Sequence, residues 1–155
     1  MTWYIDAAFA VHDDMKSRTG GCLMMGKGTI AAFSMKQKVN TRSSTEAEIV
    51  GVDDLLAEVI WTANFLKAQG HKVDTLDVVI KQDNQSSIRL ETNGRASVGK
   101  RSRHLDIRYF FITDNVKRGN VRVEYCPTDD MVSDYLTKPL QGSKHRVFWV
   151  QIMGQ

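Results

Sequence analysis

The sequence predicts an α/β fold: a mixed five-stranded sheet, with three antiparallel and two parallel strands, flanked by helices. Three observations carry this expectation. Strand-like segments open the chain in succession with short connections, the pattern of an antiparallel meander. A long segment of 3.6-residue apolar period then begins at Thr45. Two later strand-like segments are each reached through helical sequence, which is how parallel strands join a sheet.

Trp3–Phe9 alternates aromatic and branched residues as the first strand. "VHDDMKSRTGG" reads as a polar connection whose closing Gly pair suits a turn. "CLMMG" and "TIAAFSM" read as two short strands joined across Gly26-Lys27-Gly28, a hairpin signal. From Thr45 to Gln69, apolar residues recur at Ile49, Val52, Leu56, Val59, Ile60, Ala63 and Leu66. Thr45 is the expected N-cap, with Glu48 at capping-box spacing, and Gly70 the expected C-terminal cap. "TLDVVIKQ" (75–82) is apolar through its middle, as a strand buried on both faces would be.

"DNQSSIRLE" caps and opens a short helix, and "GRASVGKRSR" (94–103) is a Gly/Ser-rich basic loop. His104–Lys117 is helical, with Leu105, Tyr109, Ile112 and Val116 on one face. "NVRVEYC" (120–126) alternates as the last strand; a polar turn and a short helix through Asp134 follow. From Gln141 the chain reads as a basic-aromatic tail expected to dock on the core, although "KHRVFWV" also suits contact with nucleic acid. The whole forms one expected domain, 1–155, with a core of about 3–140 and a tail of 141–155.

With 155 residues, 42% hydrophobic and 25% charged, the chain can bury a proper core. No apolar run approaches the length of a membrane span, and the N-terminus lacks a signal-peptide pattern. Two cysteines, Cys22 and Cys126, argue for reduced buried thiols in an intracellular protein rather than a disulfide framework. A net charge of +3 is too weak to identify a partner.

The informative residues are carboxylates. Asp6 lies within the first strand, where Asp is disfavoured, although a turn after a shorter strand would also place it there. Asp83 closes the most apolar strand, where a helix N-cap is the ordinary explanation. Asp134 sits in "MVSDYL", where a solvated helix face is ordinary. In "TRSSTEAEIV", Glu46 and Glu48 point about 160° apart on a helix and cannot serve one site. With Ile49 at 0°, the apolar stripe spans roughly 260° to 20°, Glu48 falls at about 260° and Glu46 at about 60°. Glu48 is therefore expected to face the sheet and Glu46 the solvent. Each signal is weak alone. Together the first strand, the helix start, the fourth strand's end and the last helix supply the converging carboxylates that divalent-metal chemistry needs.

Five segments also carry a family resemblance: "YIDAAFAVHDD", "NTRSSTEAEIVGV", "IKQDNQSSI", "KRSRHLDIRYFF" and "SDYLTKPL". In this order, across about Trp3 to Leu140, they resemble the RNase H domain of copia-type LTR retrotransposon polyproteins. The resemblance implies an RNase H-like fold and hydrolysis of the RNA strand of RNA–DNA hybrids during reverse transcription. It implies two Mg²⁺ ions, with Mn²⁺ as a substitute. The catalytic and metal-binding positions it assigns are Asp6, Glu48, Asp83 and Asp134, which again selects Glu48 over Glu46. Asp6 would bridge the ions, one activating water and the other stabilising the leaving 3′-oxygen. Recognition would follow hybrid shape and 2′-hydroxyls rather than base sequence.

Gln85 matches a position that touches the RNA strand in related enzymes. Arg95, Lys100, Arg101, Arg103 and Arg108 form a cluster suited to phosphates, with His104 beside them. The implied partners are an RNA–DNA hybrid and an upstream reverse transcriptase domain in the same polyprotein, from which this chain would be an excised segment. The implied location is a cytoplasmic virus-like particle. One departure stands out: the loop "YCPTDDMVS" has Asp129 near the place where cellular and retroviral relatives carry a His. The alternative reading is a catalytically degenerate module that binds nucleic acid or scaffolds the polymerase.

Overall fold

The computed structural model describes residues 1–73, 78–93 and 103–155, with side chains from residue 107 onward in the last stretch. The strands are β1 (Thr2–Ala8), β2 (Arg18–Met25), β3 (Gly28–Lys36), β4 (Val79–Gln82) and β5 (Arg122–Tyr125). The helices are α1 (Ser44–Ala68), α2 (Gln85–Asn93), α3 (Arg103–Lys117), α4 (Asp134–Thr137) and α5 (Gly142–Met153).

The sheet order is β3-β2-β1-β4-β5. β1–β2 and β2–β3 pair antiparallel, whereas β1–β4 and β4–β5 pair parallel. The expected mixed sheet is what the chain forms. The parallel β1–β4 pair matters most for the site, because it brings the C-terminal ends of both strands to one edge.

α1 closes one face of the sheet. Trp3, Ile5, Leu23 and Ile80 from the strands pack with Ile49, Val52, Leu56 and Val59 of the helix, all buried. The first turns of α1 are buried over more of their circumference than the stripe predicts: Ala47, Val50 and Leu55 are inside as well. The cause is that α1 meets β1, β2, α2 and α3. Its C-terminus ends as expected at Gly70 (φ +85°), whose N–H donates to Lys67 while His71 donates to Leu66. That is the paired bonding of a left-handed helix stop.

Two expectations are corrected. The Gly20-Gly21 pair is not in a turn but inside β2. A Cβ on Gly20 would lie 2.5 Å from Thr137 Cγ2, and one on Gly21 would lie 2.2 Å from Leu55 Cδ1. The glycines are there because α4 and α1 press onto opposite faces of β2. The N-cap of α1 is Ser43, not Thr45: its hydroxyl accepts from the Glu46 N–H at 3.2 Å, and Glu46 Oε2 accepts from the Arg42 N–H at 2.7 Å. The segment after Gln141 docks on the core, and it does so as the helix α5. Its Phe148 is fully buried against Cys22 and Val132 on the sheet face opposite α1.

Candidate active site

The site lies where β1 and β4 end and α1 begins. β1 supplies Asp6, the first turns of α1 supply Glu48, and Asp83 follows β4 directly. One ligand oxygen from each of the three lies within 4.8 Å of the others, close enough to share one cation. Local structure leaves Asp83 and Glu48 free of helix capping. Asn84, not Asp83, caps α2, its Oδ1 accepting from the N–H groups of Ser86 at 3.0 Å and Ser87 at 3.2 Å. Glu46, not Glu48, serves the cap of α1. In both places the residue beside the site carboxylate takes the structural task.

The trio is expensive to hold. Asp6 is 1% exposed and Glu48 4%. Burial pushes Glu48 well above the usual carboxylate range, and the neighbouring Asp6 and Asp83 add to it, against a hydrogen bond from the Ala7 backbone. Glu48 Oε2 has no hydrogen-bond partner. A buried carboxylate oxygen without a donor costs free energy unless something positive meets it. Burial also raises Asp6, opposed by the ammonium of Lys138 and the hydroxyl of Thr137. Oxygen-only donors, two of them buried and one unsatisfied, fit a hard divalent cation.

Asp134 is brought to the site's edge but not into the trio. It opens α4 and is 1% exposed, so it does not lie on a solvated helix face. Its Oδ1 accepts from Lys138 Nζ at 2.5 Å and its Oδ2 from Lys144 Nζ at 3.1 Å. Lys138 Nζ also lies 3.6 Å from Asp6 Oδ2. Burial would lower the Lys138 ammonium, but Asp6 and Asp134 outweigh it and raise it. Thr137 donates a short hydrogen bond to Asp6, and Thr128 Oγ1 donates to Asp83 Oδ2 at 2.9 Å.

Thr137, Lys138, Lys144 and Thr128 were not anticipated at the site. The first two had a legible signal, because positions three and four beyond Asp134 share its side of a helix. Lys144 and Thr128 had none, since their approach depends on how α5 and the β5–α4 loop pack.

Of the expected nucleic-acid contacts, Gln85 is exposed at the start of α2, two residues after Asp83. Arg108 is committed to α1, with Nη1 2.7 Å from Asp53 Oδ2 and 3.3 Å from Asp54 Oδ1. Arg95, Lys100 and Arg101 lie outside the described residues, as do the side chains of Arg103 and His104. Asp129 is almost wholly exposed, 4.0 Å from Lys144. Both cysteines are free and buried, and among the described residues no helix is long and apolar enough to cross a membrane.

Beneath the site lies a further acid. Glu91 of α2 is fully buried. With the Gln82 amide nitrogen turned toward it, that amide donates to both carboxylate oxygens, at 2.7 and 3.3 Å. Burial still pushes Glu91 well above the ordinary range. A raised acid pKa means the folded state holds the proton more tightly than the unfolded chain. This contribution to stability is full below the unfolded pKa and is lost as pH rises through the folded one. Glu91→Gln should therefore flatten the fall in stability above about pH 4.5, by up to roughly 1.4 kcal/mol per pH unit. Denaturant melts at pH 5 and pH 8 check this; equal slopes in variant and wild type would refute it.

A mixed sheet of this order flanked by helices is the RNase H fold. LC11-RNase H1, isolated from compost by a metagenomic approach, matches with a TM-score of 0.58 at 17% identity, over 87% of this chain and 90% of its own. The same protein, solved in complex with an RNA/DNA hybrid, matches with a TM-score of 0.57 at 16% identity, over 87% of this chain and 91% of its own.

In sequence, the chain is similar to retrovirus-related Pol polyproteins of plant transposons. It is 36% identical to the retrovirus-related Pol polyprotein from transposon RE1 of Arabidopsis thaliana, over 94% of this chain and 10% of that protein. It is 32% identical to the corresponding polyprotein from transposon TNT 1-94 of Nicotiana tabacum, over 91% of this chain and 10% of that protein. The chain thus spans about a tenth of the length of these relatives. No family model matches it.

Proposed function

We propose that this chain is a ribonuclease H domain that hydrolyses the RNA strand of RNA–DNA hybrids during retrotransposon reverse transcription, using Mg²⁺, with Mn²⁺ as a substitute. The observation that carries the reading is the convergence of Asp6, Glu48 and Asp83 within 4.8 Å, one oxygen of Glu48 being buried without a donor. The polyprotein relatives and the hybrid-bound structure of an RNase H1 support the substrate class.

In this reading Asp6, Glu48 and Asp83 hold the cation, and Asp134 completes the acidic set. The divalent ion, when bound, supplies Lewis acidity toward water and phosphate oxygens. The chain's own contribution is positional. β1 and β4 fix two carboxylates on a rigid sheet, Thr128 and Thr137 orient them, and α1 projects Glu48 over the gap. Gln85, exposed two residues after Asp83, would touch the substrate strand. The partner domain is the reverse transcriptase of the same polyprotein, and the setting an intracellular particle.

The test is a gel assay on a hybrid labelled in the RNA strand. Wild type with Mg²⁺ should cleave the RNA and leave the DNA intact. Asp83→Asn should lose about 10³-fold or more, the several kcal/mol that a metal ligand contributes to the transition state. Absence of cleavage with both Mg²⁺ and Mn²⁺, in this chain and in a fusion to its polymerase segment, would overturn the assignment.

A further inference from the structure

The trio explains one cation position, yet Asp6 and Asp134 are both buried and the space between them already holds a positive charge. Lys138 Nζ sits 2.5 Å from Asp134 Oδ1 and 3.6 Å from Asp6 Oδ2. An ammonium between two carboxylates is where a second cation shared by them would lie. We propose that Lys138 acts as a built-in second cation, so that the free protein takes up one divalent ion and a second enters only when Lys138 is displaced. This rests on the proposed metal-dependent function and adds to it a residue that sets how many ions the centre holds.

The local structure favours this role. Lys138 follows α4 by one residue, and its own backbone N–H donates to the Asp134 carbonyl at 2.9 Å, so its stem starts beside the carboxylate it meets. Its side chain keeps 39% of its exposure. It can therefore swing outward without unpacking the core, as a gate must and a core residue could not. Lys144 differs. It approaches Asp134 Oδ2 from α5, also donates to the Thr128 carbonyl at 3.0 Å, and has no ion pair with Asp6. Lys144 steadies Asp134, whereas only Lys138 spans the two carboxylates. A divalent ion placed against the same oxygens would meet like charge, and its affinity falls accordingly.

Ion counting separates this from a passive surface pair. Mn²⁺ is titrated into the folded full chain by calorimetry, with unbound Mn²⁺ followed by electron paramagnetic resonance. Circular dichroism confirms that each variant folds. Wild type should bind one ion, with any second at least tenfold weaker. Lys138→Met should bind two, the second gaining tenfold or more in affinity. Lys138→Arg keeps the charge and should retain single-ion binding, and Lys144→Met should remain at one ion. Equal stoichiometry and affinity in wild type and Lys138→Met overturns the proposal, as does a second ion appearing in Lys144→Met but not Lys138→Met. Failure of Mn²⁺ to bind any of the four proteins overturns both this inference and the metal-dependent function. Single-ion binding throughout, with cleavage of hybrid intact, overturns this inference alone.

Discussion

Glu48→Gln should abolish hybrid cleavage while making the metal-free protein more stable. The two effects have one cause. Glu48 is 4% exposed, burial and the neighbouring Asp6 and Asp83 oppose its charge, and Oε2 has no donor. An uncompensated buried charge costs several kcal/mol, and a neutral amide of the same shape removes most of that cost. The metal-free variant should gain about 1–3 kcal/mol in a denaturant melt with chelator present. Cleavage should fall by about 10³-fold or more, because under the proposed function the ion would lose a charged ligand. Added Mg²⁺ should raise the melting temperature of wild type and not of the variant, since only a ligand held by the folded state stabilises it. Glu46→Gln is the control. The Gln amide oxygen can still accept from the Arg42 N–H, so the change should cost less than about 1 kcal/mol of stability and leave cleavage in place. The reverse pattern would move the metal ligand to Glu46.

The sheet was legible because its signals are local. Alternation marks β1, the long apolar period marks α1, and the order of elements dictates which strands pair parallel. Two of the candidate site's carboxylates were legible for a related reason: Asp6 in a strand and Asp83 at the end of an apolar one break the rules for their elements, and such breaks gather at functional sites. The errors share a different origin. Ser43 and Thr45 are both good caps, and only the backbone path decides between them. Gly20 and Gly21 look like a turn because their real reason, helices pressing on both faces of β2, is a tertiary contact. Asp134 looks solvated because the lysines that cover it come from the far end of α4 and from a helix the sequence did not disclose.

That helix yields the other large effect. Phe148→Ala should cost about 3–5 kcal/mol, the range for removing a fully buried aromatic ring. Phe148 is 0% exposed and packs on Cys22 and Val132, with Tyr4, Tyr135 and Leu140 around it, on the sheet face away from α1. No other fully buried large side chain comes from α5, so this ring is its anchor. Against a total stability of roughly 5–15 kcal/mol, the loss would leave a marginal domain. The consequence reaches the site because α5 carries Lys144, which holds Asp134 Oδ2, and His145, whose ring meets the Tyr135 hydroxyl at 3.2 Å. Hydrogen exchange in the variant should therefore rise first in α5 and α4, before α1 and the central strands. Trp149→Ala provides the contrast. Trp149 is next in sequence but 42% exposed, and its removal should change stability by no more than about 1 kcal/mol. If Phe148→Ala melts like wild type, or Trp149→Ala costs as much, α5 does not dock through Phe148.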